Sequence, residues 1–144
     1  MCKIIQYKLR LVKDRVFEYP VDTVGNYDNA KIIACHMLKG LPHEEMICIY
    51  VNGCNKLIGT SIIAMGGMHG VAVSPRDVFR GAIAANASAI ILAHNHPSGD
   101  PQPSGEDVLF TRKILEAANI LGTLMLDHLV IAGEQAVSMR EFMN

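Results

Sequence analysis

The sequence has no apolar run of the roughly 20 residues that a membrane-spanning helix needs. Its first residues (MCKIIQYKLRLVKD) alternate polar and apolar side chains, with neither a long apolar centre nor a small-residue cleavage site. We therefore interpret them as folded chain and not as a signal peptide. These two absences lead us to expect a cytoplasmic protein that makes no contact with a membrane.

Cysteines are few and dispersed. The four of them (Cys2, Cys35, Cys48 and Cys54) include no C-x-x-C pair. This spacing argues against a thiolate zinc site and against a disulfide framework. Cys35 and Cys48 stand in apolar runs, so we expect them to be core residues.

An excess of charge of either sign is also missing, since 13 basic and 14 acidic residues give a net charge of −1. Proteins that bind phosphate backbones usually carry a basic excess, although a local basic patch stays open here. The chain of 144 residues is long enough for one buried core, and it contains no linker or repeat. We therefore predict a single domain over 1–144, with an N-terminal strand extension over 1–27 and a core over 28–133.

The order of apolar patterns predicts an α/β fold, with helices packed on one mixed β-sheet. Strands are predicted over 7–11, 46–51, 56–64, 89–92 and, as the final element, 123–132. Helices are predicted from caps at Asp28, Ser74 and Ser104, and the first of them should stop at Gly40.

The candidate chemistry lies in residues 94–107 (HNHPSGDPQPSGED). His94 and His96 are two residues apart at the end of a predicted strand, so their side chains point to the same face. Asp107 lies in the first turn of the helix capped by Ser104 and can point back across a loop that three prolines stiffen. Two imidazoles and one carboxylate leave a fourth zinc position for water, which is typical of catalytic sites.

Each part of this pattern also has a simpler interpretation. Histidines often only bind a backbone carbonyl, and Ser104-x-x-Asp107 is also an ordinary capping box. Asp100 fits a turn better than a ligand position. The metal-site hypothesis depends on the coincidence of the histidine pair, the stiff loop and the acidic helix start.

The pattern H-x-H, seven residues, S, two residues, D resembles the signature of the JAB/MPN zinc metalloproteases, the JAMM motif. The segments SPRDVFRGAIAANASAIILA, HNHPSGDPQPS and LDHLVIAG are similar to the RadC-like branch of that superfamily, and the resemblance extends over about 44–133. It implies a JAB/MPN-like (cytidine-deaminase-like) fold and a Zn2+ ion held by His94, His96 and Asp107.

The resemblance also implies further site residues. In RadC-like sequences a catalytic glutamate lies eight residues before an Asp or Asn at a strand end, and counting back from Asn52 gives Glu44. Glu45 stays open as the alternative, because a shift of one residue would exchange the two faces. Ser104 matches the family serine that supports the oxyanion, and it can still cap the helix.

The remaining polar residues receive structural interpretations. Asp127-His128 recurs in the RadC-like branch, and we interpret it as structural hydrogen bonding. Arg76 is expected to be a solvated residue at a helix start. Three histidines have no companion ligand at a suitable spacing and are expected to be surface or core residues: His36, His43 and His69.

The implied activity is that of a zinc-dependent metallopeptidase that cleaves amide bonds through a zinc-activated water, with Glu44 as the general base. The implied substrates are peptide or isopeptide bonds, including bonds to a ubiquitin-like modifier. The alternative is a DNA-repair-associated or protein-interaction module with a structural or vestigial zinc site. A nuclease is less favoured, because many phosphoryl-transfer sites use two metals and the sequence offers ligands for one.

Two points stay open at this level. Longer family members carry a helix-hairpin-helix DNA-binding region, and we expect none in this chain, so a role on DNA is open. The first 25 residues could dock a partner, pair with a second protomer in a homodimer, or cover a sheet edge.

Overall fold

The structure, a computed structural model, describes residues 1–66 and 73–144 of the chain. Within them lie the strands β1 Glu45–Val51, β2 Leu57–Met65, β3 Ala89–Asn95, β4 Leu124–Ala132 and β5 Gln135–Ser138. The helices in the same residues are α1 Tyr27–Leu38, α2 Pro75–Ala84, α3 Gly105–Leu121 and α4 Met139–Phe142. His69 lies outside the described residues.

The strands form one mixed sheet in the order β2-β1-β3-β4-β5. β1 is antiparallel to both of its neighbours, β3 and β4 are parallel, and β5 returns antiparallel to β4. Helix α1 packs on one face of the sheet, and α2 and α3 pack on the other. This arrangement confirms the predicted mixed sheet sandwiched by helices.

Alternation along β3 determines which side chains reach the site. Ile91 and Ala93 are buried against α1, whereas Ile90 and Leu92 are buried against α2 and α3. His94 continues the second row and therefore points toward α3. Burying one large aliphatic side chain contributes about 1.5–3 kcal/mol, so slipping the strand by one residue would be costly and the direction of His94 is fixed.

The predicted strand over 7–11 is wrong. Residues 1–22 have no strand, and Tyr7 and Leu9 are 82% and 86% exposed. An alternating pattern forms a strand only when another strand pairs with it, and the structure provides no partner here. The N-terminal region joins the edge of the sheet at the isolated bridge between Thr23 and Lys56, and Tyr19 and Val21 pack against the core.

Two element boundaries also differ from the prediction. The cap of α1 is Asn26, whose Oδ1 accepts a hydrogen bond of 2.9 Å from the Asn29 N–H, and Asp28 lies inside the first turn. β4 is not the final element, because the chain turns at Gly133 (φ 59°) into β5 and α4. No helix in the described residues is long and apolar enough to cross a membrane.

Candidate metal centre

The three predicted ligand side chains lie together where β3 ends and α3 begins. The Nε2 atoms of His94 and His96 are 3.1 Å apart. Asp107 Oδ1 lies 3.2 Å from His94 Nε2, and Asp107 Oδ2 lies 3.5 Å from His96 Nε2. His94 and Asp107 are 0% and 3% exposed, so this cluster is closed on the protein side.

The partners of the Nδ1 atoms indicate which ring nitrogens face the centre. His96 Nδ1 lies 2.8 Å from the carbonyl oxygen of Asp100. A carbonyl only accepts, so His96 Nδ1 carries a proton, and Nε2 is the ring nitrogen that is left to bind a metal ion. His94 turns its Nδ1 away as well, to His128 Nε2 at 2.8 Å. Both rings thus direct Nε2 at the same point.

This donor set fits a zinc ion. Nitrogen and oxygen ligands at about 2.0–2.1 Å from a tetrahedral zinc are about 3.3–3.4 Å from one another, close to the three separations seen here. Electron pairs on Asp107 and His96 that face each other without a cation repel, so the geometry calls for a metal ion or a proton between them. The assignment of these three residues as zinc ligands remains a prediction.

The start of α3 holds the Asp107 carboxylate in place. Ser104 N–H donates to Asp107 Oδ2 at 2.7 Å, and Asp107 N–H donates to Ser104 Oγ at 3.1 Å. Burial raises the pKa of Asp107, but a proton on His94 Nε2, which would occupy the place of a metal ion, and the bonds from Ser104 outweigh burial and hold that pKa well below its usual value. The capping-box and metal-site interpretations are therefore compatible, since one carboxylate can serve both.

Ser104 is half-buried beside the cluster. Its oxygen accepts from Asp107 N–H, and its side chain also interacts with the Asp107 carboxylate, whose pKa it helps to lower. To support an oxyanion, as predicted, the hydroxyl proton would have to turn from that carboxylate.

Glu44 and Glu45 have different surroundings, and these separate the two candidates for the base. The Glu44 carboxylate lies within 4.8 Å of ring nitrogens of His94 and His96. Glu45 is buried, with its carboxylate 3.1 Å from His43 Nε2. Of the two glutamates, Glu44 is therefore the one that faces the histidine pair.

Asn95, the middle residue of H-x-H, clamps the chain on both sides of Glu44. Its Oδ1 accepts from Glu45 N–H at 2.7 Å, and its Nδ2 donates to the His43 carbonyl at 2.9 Å. These bonds continue the β1–β3 pairing beyond its last rung, Met46 with His94. The sequence analysis missed this role. The available signal was the alternation of β3, which turns Asn95 away from the metal side.

Asp127 and His128 have different roles. Asp127 accepts from the N–H of His128 at 2.7 Å and from the hydroxyl of Ser138 at 2.7 Å, which is the structural hydrogen bonding that the sequence suggested. The His128 ring instead contacts the candidate ligand His94. Burial, the largest cause, lowers the pKa of His128 well below its usual value, so the ring is neutral.

The other flagged residues lie outside the cluster. Asp100 accepts from Gln102 N–H through Oδ1 at 2.9 Å, as a turn residue does, and Arg76 is exposed. His36 is exposed against the ring of Tyr19, with centroids 5.0 Å apart. Cys48 is buried and Cys35 half-buried, both packed in the core, and all four cysteines are free thiols.

Comparison with known proteins assigns this chain to a family. The family model described as the RadC-like JAB domain matches residues 24–143. A UPF0758 protein of Carboxydothermus hydrogenoformans is 45% identical over 97 residues, which cover 67% of this chain and 43% of that protein. A UPF0758 protein of Listeria welshimeri is 41% identical over 114 residues, which cover 79% of this chain and 51% of that protein.

A third relative extends the match further along the chain. The UPF0758 protein of Enterococcus faecalis is 35% identical over 130 residues, 88% of this chain and 56% of its own length. The chain thus spans about half the length of the curated relatives it matches. The names of these relatives state no activity.

Proposed function

Because the chain belongs to the RadC-like JAB domain family, we propose that it is a zinc-dependent hydrolase that cleaves amide bonds in peptides or isopeptides. One observation supports this proposal above the others. The Nε2 atoms of His94 and His96 and the two Asp107 carboxylate oxygens lie 3.1 to 3.5 Å apart, close to zinc-ligand spacing, and a further group, the Glu44 carboxylate, lies beside them. An ion that served only the fold would need no base beside it.

Zinc, when held by His94, His96 and Asp107, would supply Lewis acidity that lowers the pKa of water and polarises the scissile carbonyl. Glu44 accepts a proton from the attacking water as its oxygen bonds to the carbonyl carbon, and it returns that proton to the nitrogen as the C–N bond breaks. The Ser104 hydroxyl can donate to the oxyanion by turning from the Asp107 carboxylate.

Two features of the chain hold Glu44 ready for this task. Asn95 pins the backbone on both sides of it, so the carboxylate starts from a fixed strand end. The separate pairing of Glu45 with His43 keeps the neighbouring carboxylate away from the histidine pair. A base held near the site in advance loses less entropy when it reacts.

The test compares Glu44→Gln with the matched variant Glu45→Gln. Both proteins are loaded with zinc, checked by circular dichroism, and assayed on quenched fluorescent peptides of mixed sequence and on a quenched lysine-linked isopeptide. Glu44→Gln cannot accept the proton, so its turnover should fall about 100- to 10,000-fold with zinc content unchanged. Glu45→Gln should keep both zinc and turnover.

Two results would contradict the proposal. If Glu44→Gln turns over at the wild-type rate, the base is another group. If wild-type protein carries zinc but cleaves no probe, and a fluorescent DNA duplex titrates it instead, the binding-module alternative is favoured. The nearly balanced charge of the chain speaks against that second outcome.

A further inference from the structure

A buried hydrogen-bonded chain connects two of the candidate ligands from behind. His128, on β4, is fully buried, and its Nε2 lies 2.8 Å from His94 Nδ1. Its Nδ1 lies 2.7 Å from the hydroxyl oxygen of Thr111 on α3. The Thr111 hydroxyl in turn donates to the backbone carbonyl of Asp107 at 2.7 Å. This series of hydrogen bonds therefore begins at one candidate ligand residue, His94, and ends at another, Asp107.

The direction of each proton in this chain follows from its last acceptor. The Asp107 carbonyl can only accept, so it takes the single hydroxyl proton of Thr111. The Thr111 oxygen then accepts from His128 Nδ1–H, which leaves Nε2 of this fully buried ring as the acceptor. His94 must therefore donate from Nδ1, and its Nε2 lone pair faces the cluster.

From this geometry we infer that His128 and Thr111 are positioning residues that lock His94 in the tautomer and ring orientation required for metal binding. The inference rests on the proposed zinc site. His96 is held differently, by one direct bond to the Asp100 carbonyl. The Asp100 carbonyl can only accept, so it fixes His96 by itself. His128 offers an acceptor to His94 only while its other ring nitrogen donates a hydrogen bond to Thr111.

The fold explains why these residues meet. Parallel pairing places His128 of β4 opposite Leu92 of β3. Leu92 lies two residues before His94, so the side chains of Leu92, His94 and His128 are on the same face of the sheet, the one that packs against α3. Thr111 lies one helical turn after Asp107, where a threonine hydroxyl can reach the carbonyl four residues back. The Phe110 ring packs edge-on against His128, with centroids 6.0 Å apart, and restrains its plane.

The test measures zinc affinity, which needs no substrate. Zinc dissociation constants are determined by competition with a chromogenic chelator for wild type, His128→Leu, His128→Gln and Thr111→Val. Partners behind a metal-binding histidine are worth about 10- to 100-fold in affinity, so His128→Leu should weaken zinc binding by that factor. The glutamine amide offers both an acceptor and a donor, so His128→Gln should recover most of the affinity.

Thr123→Val is the matched control for Thr111→Val. Both threonines are buried, but Thr123 follows the C-cap of α3, at the end of the helix away from Asp107. Thr111→Val should weaken zinc binding several-fold, toward the 10-fold end of that range, and Thr123→Val should not change it. Equal losses in the two valine variants would assign the effect to packing and overturn the inference.

A spectroscopic signature distinguishes positioning from general stability. In zinc-loaded wild type, His94 Nδ1–H and His128 Nδ1–H are both buried, hydrogen-bonded and protected from exchange with water, and each should give a downfield imidazole proton resonance. His128→Leu should remove both, and Thr111→Val should remove or broaden the one from His128. If His128→Leu keeps the wild-type zinc affinity and the His94 resonance, the positioning role alone is overturned, whereas a wild type that binds no zinc overturns the metal site with it.

Discussion

Helices α2 and α3 both begin with serine, two residues and aspartate, and the two aspartates have different surroundings. At α2, the N–H and the hydroxyl of Ser74 both donate to Asp77 Oδ2, at 2.9 and 2.8 Å. At α3, the N–H of Ser104 donates to Asp107 Oδ2, and the serine hydroxyl oxygen accepts from the N–H of Asp107. The Asp77 carboxylate is held by its own cap, and the Asp107 carboxylate also faces two imidazole rings.

The difference arises from what the sheet places opposite each helix start. Asp107 faces His94 and His96 at 3.2 and 3.5 Å, whereas in the described part of the chain Asp77 has its cap and nearby arginines. Hydrogen bonds from Ser74 lower the pKa of Asp77. Burial raises the pKa of Asp107, and positive charge at its histidine neighbours together with the bonds from Ser104 outweighs it. A capping box thus fixes where a carboxylate starts, and tertiary neighbours decide what it can bind.

The largest effect that tests this comparison is on zinc content. Wild-type protein, gel-filtered in metal-free buffer, should carry about one zinc per chain by mass spectrometry of the element. Asp107→Asn and His94→Ala should carry almost none, because each removes a ligand from a set of three. Asp77→Asn should keep the wild-type content. Full zinc in Asp107→Asn would show that the carboxylate is a cap and nothing more.

The sequence predicts the site as far as local pattern reaches. The row Ile90, Leu92 and His94 follows from period-two burial, and the placement of Asp107 follows from the cap at Ser104. The side of the sheet on which Glu44 lies does not follow, because it depends on the register of β1 against β3. For the same reason Glu45 could not be rejected without the structure.

Contacts between residues far apart in the sequence could not be predicted from local sequence patterns, for physical reasons. The contact of His128 with His94 joins residues 34 apart and requires parallel pairing with a register shift between Ile90 and Ile91. The alternating apolar residues over 7–11 follow a strand pattern, but a strand also needs an edge to pair with, which no local pattern reports.

The next effect is on turnover, and it separates the two serines. Ser104→Ala removes a hydroxyl that accepts from a helix N–H, and Ser74→Ala removes one that donates to Asp77, so each should lower the free energy of unfolding by about 1 kcal/mol in urea titrations. Only Ser104→Ala should also lower turnover on the cleaved peptide probe, by about 100- to 1,000-fold, since losing one oxyanion donor has that effect. Ser104→Thr, which retains a hydroxyl, should recover much of the rate. Equal turnover in both alanine variants would remove Ser104 from the chemistry.

The smallest effect is on thermal stability, and it shows which carboxylate is coupled to the metal. A ligand at 100 times its dissociation constant stabilises the folded state by about 2.7 kcal/mol, and each kcal/mol is worth about 2–4 °C at this chain length. EDTA should therefore lower the Tm of wild type by about 5–10 °C in differential scanning calorimetry. Asp77→Asn should start slightly below wild type, because its cap is weaker, and fall by the same amount. Asp107→Asn should begin near the EDTA-treated wild type and hardly move, because it has no metal to lose. If EDTA lowered the Tm of all three proteins equally, the metal would be bound away from Asp107, and both capping boxes would be only helix starts.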